Sequence, residues 1–437
     1  MTVLLVAIAL AGVREPRGND RPTLPDGAQT VLSEDGRYRL HWSDSPDFAP
    51  QGPVEDGVPF GVTVVLDALV DAEVAYARRG YHPTTGDDGT GGDAALDVYF
   101  LPIDANGYAY PLTDASPNGG SACYIELDSG LRGTLLSSVA QHELHHCVQF
   151  RYSTQSAGWI YEASATWEQY LLADESLDIG LQLLYAVRLS EPNRPIDDRG
   201  NRYEYAGFLV FKHLDEFRRA APRSVQVWEA LARDPDWESA LARVADDAFD
   251  LTLAEWFAAY STWNAFACGL SDEDHYDQTV AGCTSPQTIP IQGVITGEPT
   301  AIVLPDAPYT SHTLEWTPDT TGNAVQVTCD APESGALVLT VVPVDADGIG
   351  QVPARTAERT RTITLRSTDA LPNAGSARII VASTGDEPLS VECTVRAVAP
   401  ALAEPSSCST MTTPVGWSAL WLSAIAALGR RGKRRRR

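Results

Sequence analysis

The segment Gln141-His142-Glu143-Leu144-His145-His146-Cys147 decides how the chain is read. His142 and His146 stand four residues apart, and on an α-helix residues at that spacing share a face, so both imidazoles can reach one cation. Glu143, directly after the first histidine, then sits beside any water bound to that cation. The flanks agree with a helix: Thr134 to Ala140 holds neither Gly nor Pro, and Val148, Gln149 and Phe150 continue the pattern. His145 points off the ligand face and reads as a structural or supporting residue. A pattern this short also arises by chance, so the rest of the chain has to decide.

A third ligand follows at Glu162. The run Trp159 to Glu168 reads as a second helix with that carboxylate in its first turn, and the short stretch after His146 suffices to bring it back beside the first helix. Two imidazoles and one carboxylate leave the fourth tetrahedral position of a zinc ion open, which separates a catalytic site from a closed structural one. The expected set is His142, His146 and Glu162 around one Zn2+, with Glu143 as the catalytic residue.

These residues resemble the gluzincin metallopeptidases, which include thermolysin and the aminopeptidase N relatives. Trp159-Ile160-Tyr161-Glu162-Ala163-Ser164-Ala165-Thr166-Trp167 is similar to the Trp-x-x-Glu-Gly-x-Ala-x-Tyr context of the latter, with Ala163 in place of Gly. Nearer still is a group of secreted bacterial metalloproteases with a His-Glu-x-x-His-x-x-Gln helix and a Glu-x-x-Ala-x-Trp segment. That likeness runs from about Tyr38 to Leu214 and takes in Asp56-Gly57-Val58-Pro59, Leu96 to Phe100 and Ala122 to Leu127. The resemblance implies a zinc-bound water that Glu143 deprotonates, a protein or peptide substrate, and an oxyanion donor, for which Tyr203, Tyr205 and His213 are candidates and Tyr205 is preferred. It also implies a sheet edge that pairs with the substrate backbone, expected at the strand Ala122 to Asp128. The spacing to Glu162 is shorter than in aminopeptidase N and no Gly-x-Met-x-Asn signature precedes the helix, so an endopeptidase is expected.

The chain has 437 residues, with 32 Lys and Arg against 58 Asp and Glu, a formal charge of -26. Seven of the basic residues lie between Arg430 and Arg437, so the body carries 25 against 58. An acidic body argues against a nucleic-acid partner, which needs a basic footprint. Met1 to Ala11 is apolar and ends Ala9-Leu10-Ala11, resembling the core and cut site of a secretory signal, although no basic residue precedes it. At the other end Ser406-Ser407-Cys408, the apolar run Val415 to Leu428 and the basic cluster resemble the MYXO-CTERM class of sorting tails, with a plain tail anchor as the alternative. Membrane contact is expected only through this tail, and the protein is expected to be secreted or at the cell surface, as a monomer.

Seven cysteines support export. They divide by region into Cys123 with Cys147, Cys268 with Cys283 and Cys329 with Cys393, leaving Cys408 over; a free buried Cys147 is the alternative to the first pair, since sequence alone does not fix connectivity.

Along the chain we expect a signal at 1–11, a disordered or propeptide-like lead at 12–35, and a zincin-like, mostly helical catalytic domain with a small edge sheet at 36–285. An all-β sandwich follows at 290–398 and the sorting tail at 399–437, so the fold class is α+β. Helices are expected at about 61–79, 158–173, 177–188, 203–219, 224–233, 237–245 and 252–266. In the β domain, seven alternating runs separated by Gly, Pro and Asp turns begin at Thr300, His312, Ala324, Ala336, Thr360, Ala377 and Leu389. The Gly- and Asp-rich loop 86–93 has the carboxylates a Ca2+ site needs, but a solvated turn is favoured. The rival to a hydrolase is an inactive, adhesin-like surface-binding protein on a peptidase scaffold; intact His142, Glu143, His146 and Glu162 speak against it.

Overall fold

The computed structural model describes residues 20–267 apart from 87–88, 114–119, 173–177 and 220–221, then Tyr276, and 293–295, 300–304, 309–316, 324–330, 337–344, 362–366, 376–385 and 389–398. The expected signal, residues 12–19 of the lead, the sorting tail, Cys268, Cys283 and Cys408 lie outside the described residues. The described chain mixes α and β.

The first part opens with β1 (Ala28–Leu32), β2 (Tyr38–Ser43) and the two-residue strands β3 (Val54–Glu55) and β4 (Val58–Pro59). Extended Pro59 then leads into α1 (Phe60–Arg79), which ends where Gly80 turns left-handed at φ 96°. Next come β5 (Leu96–Leu101), β6 (Gly107–Pro111) and β7 (Cys123–Asp128), followed by α2 (Gly133–Gln149) and α3 (Gly158–Leu172). One sheet takes the strands in the order β1-β2-β5-β7-β6, with β2, β5 and β7 parallel and both outer strands antiparallel to their neighbours. Two expectations are corrected here. Ala28–Leu32 pairs with β2 rather than belonging to a disordered lead, and the edge strand beside the histidine helix is β6, while the strand beginning at Cys123 is interior. Gly107–Pro111 is short and ends in proline, so its pairing with β7 is a tertiary fact with little local signal.

The helices continue with α4 (Asp178–Ser190), α5 (Tyr203–Ala206), α6 (Phe208–Glu216), α7 (Ser224–Leu231), α8 (Trp237–Phe249) and α9 (Leu253–Ala265). The single helix expected over 203–219 is broken. Asn201 and Arg202 approach it left-handed, Gly207 divides α5 from α6, and Phe217–Arg219 tightens into a 3-10 turn. Asp236 caps α8 by accepting from Ser239 N, and Thr252 with Glu255 forms a capping box on α9.

A buried network clamps α1 to α3 and α6. Arg79 Nε meets Glu168 at 3.0 Å, the Tyr81 hydroxyl donates to the same carboxylate at 2.9 Å, and Trp167 Nε1 donates to Asp215 at 2.7 Å. Burial pushes Glu168 up to about 7 despite Arg79. Tyr76 on α1 donates to the Gln141 carbonyl at 2.9 Å, which seats α1 against α2 at the turn that carries His142.

His213 on α6 is fully buried among Phe217, Trp256, Tyr260, Trp263 and Tyr276, and neither ring nitrogen has a hydrogen-bond partner among the described residues. Desolvation lowers it to about 3. It therefore folds neutral: its contribution is fully present above its ordinary value near 6.5 and is lost as pH falls toward 3. Between pH 7 and pH 4 the wild type should lose about 3 kcal/mol of unfolding free energy that His213→Leu keeps. Guanidinium titrations at the two pH values check this, and equal losses would refute it.

Beyond residue 290 lie β8 (Gly293–Ile295), β9 (Thr300–Leu304), β10 (Thr310–Trp316), β11 (Ala324–Asp330), β12 (Leu337–Val344), β13 (Thr362–Arg366), β14 (Ser376–Ser383) and β15 (Leu389–Val398). They form two four-stranded sheets, β12-β14-β10-β8 and β13-β11-β15-β9. Leu314, Leu339 and Ile379 from one sheet share a core with Val327 and Val391 from the other. All seven expected strands are present to within two residues at their starts, and β8 is additional. Ala265 and Phe266 pack on Val342, Val344 and Ile380, so the end of α9 meets β12 and β14.

Candidate metal centre

The functional side chains sit on two adjoining helices. Helix α2 begins at Gly133, whose positive φ of 54° suits a residue without Cβ, and runs unbroken to Gln149. Helix α3 crosses back against it. Tyr161 anchors the turn between them by donating to the Ser153 carbonyl at 2.7 Å. Cys147 is bonded to Cys123 on β7, pinning the residue after His146 to the sheet; Cys329 is bonded to Cys393 across β11 and β15.

One ligand atom from each of His142, His146 and Glu162 lies within 4.8 Å of the others, and all three residues are buried. Glu162 Oε2 is 3.2 Å from His142 Nε2 and 3.6 Å from His146 Nε2, and the two imidazole planes meet at 85°. Each histidine is engaged through its other nitrogen. His142 Nδ1 lies 3.0 Å from Gln169 Oε1, and Gln169 Nε2 donates to Ser138 Oγ at 2.7 Å. His146 Nδ1 lies 2.7 Å from Gln149 Oε1, and Gln149 Nε2 donates to the Tyr161 carbonyl at 2.9 Å. With Nδ1 donating in both rings, the two Nε2 atoms face Glu162 as lone-pair donors when the rings are neutral. Gln169 escaped the sequence reading; its only signal is a place two helical turns after Glu162 on the same face.

Burial alone would raise Glu162, yet the two histidines hold it at about 2. For His146, burial lowers and Glu162 raises, and the carboxylate wins, lifting it to about 9. His142 is lowered by burial and by the neighbouring His146, because two imidazolium charges would repel. This donor set of two imidazole nitrogens and one carboxylate oxygen fits a divalent transition metal such as zinc.

Glu143 is fully buried and neither carboxylate oxygen has a hydrogen-bond partner among the described residues. Desolvation pushes it up to about 8. It lies against Gly107 on β6, where an added Cβ would come within 2.8 Å of its Cγ and Oε1, so the bare backbone there makes room for the carboxylate. A carboxyl group buried without a hydrogen-bond partner is costly to ionise and invites a role beyond packing.

Of the three oxyanion candidates, the Tyr205 ring lies beside the centre, 6.2 Å from that of His142. Gly207 lets the α5–α6 junction lie close against α3, since a Cβ there would meet Ala163 at 3.0 Å and the Glu204 carbonyl at 2.9 Å. Tyr203 instead donates to the Glu191 carbonyl at 2.9 Å beneath Arg188 and Arg194, and His213 is enclosed in its aromatic cluster. His145 lies 3.1 Å from Ser164 Oγ, which also accepts from Trp228 Nε1, and Tyr76 and Tyr81 pack edge-on to its ring. In loop 86–93, Asp93 pairs with Arg39, and the nearby Asp97 pairs with His41 at 2.8 Å and Arg21 at 3.3 Å; residues 87–88 lie outside the described set. Among the described residues, His142, His146 and Glu162 form the one group able to hold a metal ion.

No protein-family model matches the chain, and no curated protein matches it. Among solved structures, the pre-peptidase C-terminal domain of a collagenase from Bacillus anthracis aligns over 24% of this chain and 90% of its own, at 8% identity and TM-score 0.18. Tailspike protein 4 of bacteriophage CBA120 aligns over 24% of this chain and 18% of its own, at 12% identity and TM-score 0.18. A family GH115 4-O-methyl-α-glucuronidase aligns over 61% and 39%, at 12% identity and TM-score 0.14. Likenesses this slight carry no argument about fold or function. No helix among the described residues is long and apolar enough to cross a membrane.

Proposed function

We propose that the protein is a zinc-dependent peptide hydrolase of the gluzincin kind, acting on protein or peptide substrates outside the cytoplasm. In this reading α2, α3 and the five-stranded sheet form a zincin-like unit, and the two later sheets form an accessory β-sandwich. One observation carries it: three buried ligand atoms converge while Glu143, on the same helix as two of them, is buried with no hydrogen-bond partner among the described residues.

The cation, when bound, makes a coordinated water acidic near neutral pH and polarises a carbonyl. The rest is the work of side chains. Glu143 is placed to accept a proton and return it to a leaving amine, and a nearby cation would draw its carboxyl down from about 8 into the range of a working base. Tyr205 is the candidate donor to the developing oxyanion. Strand β6 ends the sheet beside α2, so its outer edge is the place for an added substrate strand. The two disulfides among the described residues suit an oxidising compartment.

Casein and a mixed peptide library should be cleaved by the purified chain, cleavage should stop on dialysis against a chelator, and one equivalent of zinc should restore it. Cleavage that survives chelation would refute the reading. Bound zinc with no cleavage would favour the surface-binding alternative.

A further inference from the structure

We propose that Gln149 and Gln169 are the positioning residues of this centre, a cross-brace in which each helix aims an imidazole by way of the other. The inference rests on the metal-binding reading above.

An imidazole presents Nε2 to a metal only when Nδ1 carries the hydrogen, and the group that accepts this hydrogen fixes both tautomer and ring angle. A carboxylate or a backbone carbonyl can do this without further arrangement, whereas a carboxamide must itself be oriented, since either end can face the ring. Gln149 is oriented unambiguously: its partner Tyr161 O can only accept, so its NH2 faces that carbonyl and its Oε1 faces His146. Tyr161 is also the residue before Glu162. Gln149, from α2, therefore ties His146 to the peptide that carries the carboxylate ligand. Gln169, from α3, reaches the opposite way to His142 and to Ser138 on α2. Both glutamines are buried, which keeps water from substituting for them.

The two braces differ in one testable respect. The Ser138 hydroxyl can rotate and donate, so a carboxylate at 169 still accepts from His142 and still has a partner. The Tyr161 carbonyl cannot donate, so a carboxylate at 149 faces a carbonyl oxygen beside Glu162.

The test is the zinc Kd of the full chain at pH 7.5, by competition with a chromophoric chelator, with the melting temperature of the metal-free protein and the visible spectrum of the cobalt form alongside. Gln149→Met and Gln169→Met should each weaken zinc about 10–100-fold, the usual cost of losing a supporting partner. Gln169→Glu should restore wild-type affinity and spectrum, whereas Gln149→Glu should not. Wild-type affinity in both Met variants would overturn the proposal while leaving the metal reading intact. So would equal weakening of both Glu variants in step with metal-free melting, which marks a packing role alone. A wild type that binds no zinc would overturn the metal reading itself.

Discussion

Replacing Glu143 with Gln should leave one zinc per chain and lower the rate of peptide hydrolysis by about 10²–10⁴-fold or more, the contribution typical of a positioned general base. Gln has the shape of Glu and fits the space that Gly107 leaves, but it has no carboxylate to receive a proton. The change should not destabilise the fold. Glu143 is buried and neither oxygen has a partner among the described residues, so folding must protonate or desolvate its carboxylate, a cost the neutral amide does not carry. The expected result is a protein of equal or higher melting temperature with intact metal content and almost no turnover, checked by metal analysis, calorimetry and single-turnover kinetics. Unchanged turnover would remove Glu143 from the mechanism.

Removing the Cys123–Cys147 disulfide should have the largest effect on stability. The bond closes a loop across 24 residues of sequence, for which chain entropy gives about 3.5 kcal/mol. In a helical region of this size that corresponds to a fall of roughly 10 °C in melting temperature. The double variant Cys123→Ala/Cys147→Ala tests it by guanidinium unfolding. Because both cysteines are buried and Cys147 directly follows His146, the same variant should also loosen the helix that carries two ligands. A loss below about 1 kcal/mol would show that packing of β7 on α2 already does what the bond is credited with.

What the sequence revealed and what it concealed divide along physical lines. The pairing of His142 with His146 follows from helical spacing alone, and Glu162 from the need for a third ligand on a neighbouring helix; the structure brings the three together. The alternation of strands from Thr300 onward was equally legible, because a two-residue period needs no partner to be seen. Strand β6 was not, because five residues of Gly, Tyr, Ala and Pro become a strand only through β7. Gln169 was hidden for the same reason, since nothing in its local sequence says that its carboxamide meets His142. The break at Gly207 could have been inferred from a glycine within a helical run, but a continuous apolar pattern outweighed it.

The most direct test of the central claim is the metal content of the purified chain after equilibration with equimolar zinc, for the wild type and for Glu162→Ala. The account predicts one tightly held zinc per wild-type chain and its loss, or weakening by orders of magnitude, in the variant. Zinc absent from the wild type, or held as tightly without the Glu162 carboxylate, would contradict it.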